Sequence, residues 1–283
     1  MMKFAINTPN FGSFSDARLM AELAHEAEEA GWDGFFVWDH IGGGTATAQP
    51  MADPWIVLTA MALATKRIKL APLVTPLPRR RPWKLARECT TLDHLSNGRL
   101  ILGVGIGSDE FFKEFSSYGE PTEDKLHGEM LDEALDVLAL LWSGETVNYS
   151  GKHYQLNDAV HLPKPQQQPR IPIWVAGVWP AKKPFQRAAR WDGVAPLARQ
   201  FHSMSPAEIR EVSTTIQYYR ESDAPFDILA NGKTSGTDHQ KDLDQVQPYI
   251  DAGATWWQED VGAGSSQDLA AIRQRIHLGP PTR

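Results

Sequence analysis

The sequence predicts a parallel α/β fold: a single (β/α)8 TIM barrel with a β-hairpin inserted after the fourth β/α unit. Short apolar runs of strand length alternate with helical patterns eight times within 283 residues, which leaves room for a crossover helix in each unit. The clearest run, Leu100 to Val104, is apolar throughout and ends among glycines, as expected for a strand covered on both faces. No linker divides the chain, so we expect one domain over residues 1–283. A doubly wound open sheet is the structural alternative.

The first half of the chain supplies four units and the inserted hairpin. The predicted strands are Lys3 to Asn7, Gly34 to Trp38, Ile68 to Val74 and Leu100 to Val104. The predicted helices run from the capping residue Asp16 to Ala30, from Trp55 to Ala64 after Asp53-Pro54, from Pro82 to about Leu95, and from about His127 to Trp142. Thr146 to Leu156 alternates around Ser150-Gly151-Lys152, which predicts the hairpin.

The second half supplies the other four units. The predicted strands are Pro172 to Ala176, Gly193 to Pro196, Phe226 to Ala230 and Ala254 to Trp257. The predicted helices are Ala181 to Arg190, Ser205-Pro206 to about Arg220, Leu243 to Ala252 and Gln267 to Ile276.

The composition narrows the partners and the compartment. The formal net charge of −7 argues against nucleic acid or an anionic membrane as partner. The densest basic run, Arg79 to Arg81, is interpreted as a solvated loop before Pro82, with an anion contact as the alternative. The single cysteine, Cys89, cannot form an internal disulfide and falls in a helical pattern, which predicts a buried thiol and a reducing compartment. With no long apolar segment, we expect a cytoplasmic protein.

In a barrel, the site lies where the strands end at their carboxyl termini. The residues predicted there are Asn7, Thr8, Asp39, His40, Thr75, Gly105, Ile106, Gly107, Ser108, Asp109, Gly177, Val178, Trp179, Pro196, Asn231, Gln258, Glu259 and Asp260. This set has no metal-type cluster, no strand-end lysine and no Gly-x-Ser-x-Gly elbow. It therefore argues against a metallohydrolase, a Schiff-base aldolase and a serine hydrolase, and we predict no metal.

Glycines and aromatic residues near this rim suit a flat ligand. Gly105, Gly107 and Gly177 lack a Cβ and would let such a ligand lie against the backbone. The aromatic residues suit a planar cofactor or an apolar substrate, with barrel-to-helix packing as the alternative. They are Trp38, Phe111, Phe112, Trp179, Trp256 and Trp257. Lys182 and Lys183 start a helix and could meet a cofactor phosphate or only solvent.

His40 beside Asp39 is the sharpest polar pair. A histidine that titrates near neutrality at a strand end can exchange protons with a substrate or a reduced cofactor. The alternative is a structural hydrogen bond at the start of a loop.

Several motifs together resemble the bacterial luciferase-like monooxygenase family, over nearly the whole chain. They are Thr91 to Arg99 followed by Leu102 to Gly105, then Trp38-Asp39-His40, Leu140 to Gly144, Gly151 to Tyr154, Pro172 to Gly177, and Arg190 to Gly193. The resemblance implies a (β/α)8 barrel that binds FMN or the deazaflavin F420 at the strand ends. It implies monooxygenation with reduced flavin and O2, or hydride transfer with F420.

The resemblance also assigns site residues. The implied catalytic residues are His40, Asp39, Ser108 and Asp109. The strand-end residues and the resemblance together give the predicted cofactor-binding residues: Asn7, Asp39, Val74, Thr75, Gly105, Ile106, Gly107, Ser108, Ala176, Gly177, Val178 and Trp179. Val74 and Thr75 would lie behind the ring, where relatives often bulge the backbone, and Gly177 and Val178 would meet the phosphate tail.

One departure from the family sets the order of the functional hypotheses. F420-using relatives often carry a glutamate as general acid where this chain has Ser108. We therefore favour a monooxygenase that acts on a partly apolar small molecule. Its cofactor would be reduced FMN, supplied by a partner flavin reductase. An F420-dependent reductase or dehydrogenase and a non-catalytic flavin-binding barrel are the alternatives. Relatives commonly dimerise, so we expect a homodimer.

Overall fold

A ring of parallel strands forms the centre of the computed structural model, which describes residues 2–199, 203–262 and 268–281. The strands are β1 Lys3–Thr8, β2 Gly34–Val37, β3 Lys69–Pro72, β4 Thr75–Pro76, β5 Leu102–Gly105, β8 Ile173–Val178, β9 Gly193–Leu197, β10 Asp227–Gly232 and β11 Trp256–Asp260, while β6 Val147–Ser150 and β7 Gln155–Ala159 form a separate antiparallel pair. The order in the ring is β3-β2-β1-β11-β10-β9-β8-β5-β4.

The strands β3 and β4 are two halves of one position in this ring. β3 pairs with β2, β4 pairs with β5, and a bridge between Leu70 and Leu100 joins the two sides. The ring therefore has eight positions and closes, so the predicted barrel and its hairpin insertion are confirmed.

Eight helices surround the ring within the described residues. They are α1 Ala17–Glu29, α2 Pro54–Ala64, α3 Pro82–Leu95, α4 Asp124–Trp142, α5 Lys182–Ala188, α6 Pro206–Tyr219, α7 His239–Asp251 and α8 Leu269–His277. The predicted start signals act as caps. Asp16 accepts the amide of Arg18, and Ser205 forms a capping box with Glu208. In this part of the chain, no helix combines the length and the apolar character needed to cross a membrane.

Several element boundaries differ from the prediction; α7, for example, begins at His239 and not at Leu243, and two differences lie at the carboxyl ends of barrel strands. The third strand is interrupted at Leu73 and Val74, whose peptide bond is cis, because the chain changes its neighbour there from β2 to β5. The last strand continues to Asp260, since its polar end pairs with Asn7 of β1. The predicted helix start at Gln267 lies outside the described residues.

The inside of the ring is filled below its carboxyl end. Alternate residues of the strands form a cluster separate from the helix-facing core: Ala5, Phe36, Ala71, Ile101, Trp174, Ala195, Leu229 and Trp256. The rings of Phe36, Trp174 and Trp256 lie 5.4–5.7 Å apart between centroids. Because strand side chains alternate, the next inward positions toward the carboxyl end include Asn7 and Gln258. The floor therefore confines any site to the mouth above it.

Glu28 near the end of α1 ties the helix layer to β3. Its buried carboxylate accepts the amides of Lys66, Arg67 and Ile68, the turn that leads into the strand, at 2.5–3.0 Å. Burial alone would raise the pKa of Glu28, but these amides and the charge of Arg67 outweigh it and lower the pKa.

Replacing Glu28 with Gln should destabilise the fold by about 1–3 kcal/mol near pH 7, because an amide cannot accept all of these hydrogen bonds. Since the folded pKa is depressed, the contribution of the carboxylate is complete above its ordinary value of 4.5 and is lost as the pH falls through the folded value. The difference in unfolding free energy between the wild type and the Glu28→Gln variant should therefore narrow on acidification. Urea unfolding at several pH values measures it, with the exposed neighbour Glu29→Gln as the control. An equal loss in both variants would contradict this role.

Candidate active site

Asp39, directly after β2, is buried and fully engaged. Oδ1 accepts from Nη2 of Arg79 at 2.8 Å, and Oδ2 accepts from Nη2 of Arg80 and from the hydroxyl of Thr75, both at 2.8 Å. The prediction of a solvated basic loop is therefore wrong for Arg79 and Arg80, which turn inward to neutralise this carboxylate. Asp39 is placed to hold the mouth together, and its contact with a cofactor stays a prediction.

Glu114 forms the second carboxylate of the same network. Its Oε1 accepts the amides of Ile41 and Gly42 at 2.6 and 3.0 Å, and its Oε2 accepts from Nη1 of Arg79 at 2.8 Å. The same Oε2 lies 3.2 Å from Nδ1 of His40. Arg79 thus bridges Asp39 and Glu114, and Glu114 reaches the predicted catalytic histidine.

This contact determines the tautomer of His40. Burial alone would raise the pKa of Glu114, but the hydrogen bond and charge of His40, the charge of Arg79 and the Ile41 amide lower it below the ordinary value. An ionised carboxylate only accepts hydrogen bonds, so Nδ1 donates in this contact, and a neutral ring would present the lone pair of Nε2. The side chain remains 28% exposed, which leaves it open to the mouth.

The backbone and the ring of His40 are also held in place. Asn10, which is buried, donates from Nδ2 to the His40 carbonyl at 2.7 Å and accepts the His40 amide at 3.2 Å. Phe112 lies 4.4 Å from the imidazole between centroids, and Phe11 and Trp38 lie 5.9 and 5.8 Å away. These three rings, the aromatic shell, restrict water around the imidazole.

Three of the other predicted rim aromatics lie elsewhere, while Phe111 is an exposed neighbour of Phe112. Trp256 belongs to the barrel floor, and Trp257 is buried against Tyr249 of α7. Trp179 faces outward, where it packs on Phe185 and donates to Glu211 at 3.2 Å. For these tryptophans the packing alternative is correct.

Half-buried apolar side chains lie at the carboxyl ends of β3 and β8, beside the glycines of β5. This apolar arc consists of Leu73, Val74 and Ala176, of which Leu73 and Ala176 pack on the barrel floor and Val74 and Ala176 flank Gly105. No charged side chain belongs to it, so it can accept the face of a flat ring. Ile106, predicted to bind the cofactor, packs instead on the helix-facing core.

The three predicted glycines do not leave room in the way expected. A Cβ at Gly105 would lie 2.9 Å from Cγ2 of Val74, one at Gly107 2.7 Å from the Phe115 ring, and one at Gly177 2.5 Å from Cβ of Pro184. The space beside each glycine is already filled by the protein's own side chains. These glycines therefore permit internal packing, and the prediction that they make room for a flat ligand is wrong. Gly107 additionally adopts a φ of +79°, which favours glycine.

The loop after β5 uses its polar residues for its own structure. The hydroxyl of Ser108 accepts the amide of Glu110 at 3.2 Å. Oδ1 of Asp109 accepts the amides of Phe115 and Ser116 at 2.8 and 3.1 Å, which fixes the segment that carries Glu114. Lys182 and Lys183 are exposed, as the solvated alternative predicts, and Val178 is also exposed.

Sequence reasoning missed Glu114, Asn10 and the inward role of the arginines. The usable signal was a lone acid among the aromatic residues 111–115, opposite a basic run after the third strand. A charge in an apolar segment needs a partner, and the only dense basic run was the natural candidate. Among the described residues, no group of three or more His, Cys, Asp or Glu could hold a metal ion.

Comparisons with known proteins agree on one family. The sequence model described as luciferase-like monooxygenase matches residues 2–280. An F420-dependent glucose-6-phosphate dehydrogenase of Amycolatopsis mediterranei is 36% identical over 295 residues, covering 83% of this chain and 86% of that protein.

Two solved structures share the fold. The coenzyme F420-dependent tetrahydromethanopterin reductase of Methanopyrus kandleri superposes with a TM-score of 0.76 at 18% identity, covering 98% of this chain and 96% of that one. A monooxygenase of Streptomyces bottropensis gives 0.75 at 19% identity, covering 98% and 97%.

Replacing Asp39 with Asn should lower the free energy of unfolding by about 3–5 kcal/mol, because it leaves the largely buried Arg80 without its carboxylate. Chemical denaturation measures the loss. The matched control is Asp16→Asn on the surface, where asparagine caps α1 equally well. Wild-type stability in the Asp39 variant would instead place this residue in the chemistry.

Proposed function

The chain belongs to the luciferase-like monooxygenase family, and from that premise we propose that it is an F420-dependent oxidoreductase that moves a hydride to or from a hydroxyl-bearing carbon of a small molecule. A relative at 36% identity bears the name of an F420-dependent dehydrogenase, which favours the deazaflavin over FMN and reverses the order suggested by Ser108. The geometry around His40 also supports F420 ahead of FMN.

The mouth has a surface that fits the cofactor. The apolar arc offers partly exposed apolar side chains and no charge, which suits the face of an isoalloxazine-like ring. The residues that would hold the cofactor are this arc together with the backbone of residues 105–108 and 176–179. Bound F420 would supply a two-electron hydride acceptor or donor.

The observation that carries the proposal is the pairing of His40 with Glu114. Because Nδ1 donates to a buried carboxylate, Nε2 can take the proton of a substrate hydroxyl, or return it in the reverse direction. Glu114 stabilises the imidazolium that results, and Arg79 keeps Glu114 ionised and in place. The aromatic shell limits competition from water.

Monooxygenation with reduced FMN and O2 is the second candidate. The carboxylate of Asp109 is occupied by two loop amides, so on the loop after β5 it does not replace the acid that Ser108 lacks. A partner flavin reductase belongs to this candidate alone.

Titration of the purified protein with F420, FMN and FMNH2 tests the cofactor. We expect F420 to bind at least about tenfold more tightly than FMN, a difference of about 1.4 kcal/mol, as followed by the fluorescence of the deazaflavin. Selective binding of FMNH2 would favour the second candidate. If no cofactor binds below about millimolar concentration, the oxidoreductase proposal fails.

His40→Ala should lower turnover by about 100-fold or more if Nε2 transfers a proton. Glu114→Gln should lower kcat by about tenfold and move the pH profile, because the imidazolium loses its anionic partner. F420 reduction is followed with glucose 6-phosphate and a panel of secondary alcohols. His25→Ala, on the exposed surface of α1, is the control. An unchanged rate in the His40 variant would mean that His40 has only a structural role.

A further inference from the structure

Three amide side chains gather at the ends of β1, β10 and β11 around one carboxylate, that of Asp260. Asp260 Oδ1 accepts from Nδ2 of Asn7 at 3.2 Å and from Nε2 of Gln258 at 2.7 Å, and Oδ2 accepts from Nδ2 of Asn231 at 2.8 Å. We call Asn7, Asn231, Gln258 and Asp260 the amide–carboxylate cluster. The strand register brings them together, since Asn7 pairs with Asp260 and Asn231 with Gln258.

The carboxylate fixes how the amides are turned. It accepts hydrogen bonds only, so each amide directs its nitrogen toward Asp260 and its carbonyl oxygen away. For Asn7 and Gln258, only 3% and 7% exposed, this leaves Oδ1 and Oε1 buried without a hydrogen-bond partner. Turning either amide over would set an oxygen against the carboxylate. Two buried acceptors in one cluster are unusual in a folded protein and point to a missing donor.

The charge of the cluster points the same way. No Lys, Arg or His of the described ranges 2–199, 203–262 and 268–281 forms an ion pair with Asp260, in contrast to Asp39 with its two arginines. Asp260 and Asn231 are partly exposed, so the cluster fronts on the mouth. An anionic group would be repelled there, whereas a hydroxyl or an ammonium would be attracted.

The cluster lies across the mouth from the apolar arc. In the ring, β10, β11 and β1 form one side, β8, β5 and the β3–β4 position form the other, and β2, which leads to His40, lies next to β1. If the arc holds the ring of the cofactor, as in the proposed function on which this step rests, a substrate reaching His40 would lie between the arc and the cluster.

We propose that the amide–carboxylate cluster is the substrate-binding subsite of this enzyme, and that it selects a group that donates hydrogen bonds, a hydroxyl or an ammonium, over an anionic one. Asn7, predicted from its place at a strand end to bind the cofactor, contacts the substrate instead. The carboxylate of Asp260 accepts the hydrogen bond from this group, and its negative charge disfavours an anionic group.

The test uses three probes with one carbon skeleton: glucose, glucosamine and gluconate, added to the protein with its redox cofactor bound. Thermal stabilisation gives the affinity, and the side-chain amide NMR signals of Asn7, Asn231 and Gln258 locate the binding. We expect glucose or glucosamine to bind and to move these signals, with gluconate at least about tenfold weaker. Glucose without glucosamine identifies a hydroxyl subsite, and the reverse identifies an ammonium subsite. Equal or tighter binding of gluconate, or no binding of any probe, overturns the proposal.

Asp260→Asn should weaken the preferred probe by about 10- to 100-fold, the usual effect of losing a charged hydrogen-bond partner. Asp223→Asn, which removes the same charge from an exposed loop before β10, is the control and should bind normally. If the Asp260 variant does not fold, Asn231→Ala takes its place and should also weaken the probe. Cofactor titration of each variant separates the two proposals. A wild-type protein that binds no cofactor refutes the proposed function, whereas a variant that loses cofactor and probe together assigns the cluster to the cofactor and refutes this one.

Discussion

The geometry of the mouth depends on the two ion pairs that the guanidinium of Arg79 forms. The guanidinium joins two buried carboxylates from distant parts of the chain, Asp39 after β2 and Glu114 in the loop after β5. Each carboxylate alone would be costly to bury, and together with Arg80 they form a compensated network. Because Glu114 also meets His40, the same network that holds two loops together orients the imidazole. Positioning and chemistry therefore cannot be separated at this end of the barrel.

Periodicity was sufficient to predict the barrel but not the site. The strands were readable because they are short continuous apolar runs buried on both faces. The helices were readable because their apolar positions recur at helical spacing and caps such as Asp16 and Ser205 act locally. His40 was found because a titratable residue followed a strand. Glu114 was not, since its partner lies 74 residues away in sequence and only the closed ring brings the two together. The glycines failed for a similar reason: only coordinates show that Val74, Phe115 and Pro184 fill the space beside them.

The mouth is divided chemically along the ring. Strands β3 and β8 end in the apolar arc, while β1, β10 and β11 end in the amide–carboxylate cluster. A planar redox ring and a polar substrate place opposite demands on a binding surface, and a closed barrel can meet both because its two sides face each other over a filled floor. His40 follows β2, between the two sides, where the proposed proton exchange would take place.

The contact between Glu114 and His40 explains why Ser108 alone does not decide between F420 and FMN. A motif comparison asks whether an acid stands at one position of the loop after β5, and by that measure the chain departs from F420-using relatives. The same loop, however, places Glu114 in contact with His40. Asp109 stabilises this part of the loop by accepting hydrogen bonds from the amides of Phe115 and Ser116. Proton-transfer capacity depends on where a carboxylate arrives in space and what it contacts, not on its register in a motif. The loop can therefore lose an acid at its start and still supply one to the site.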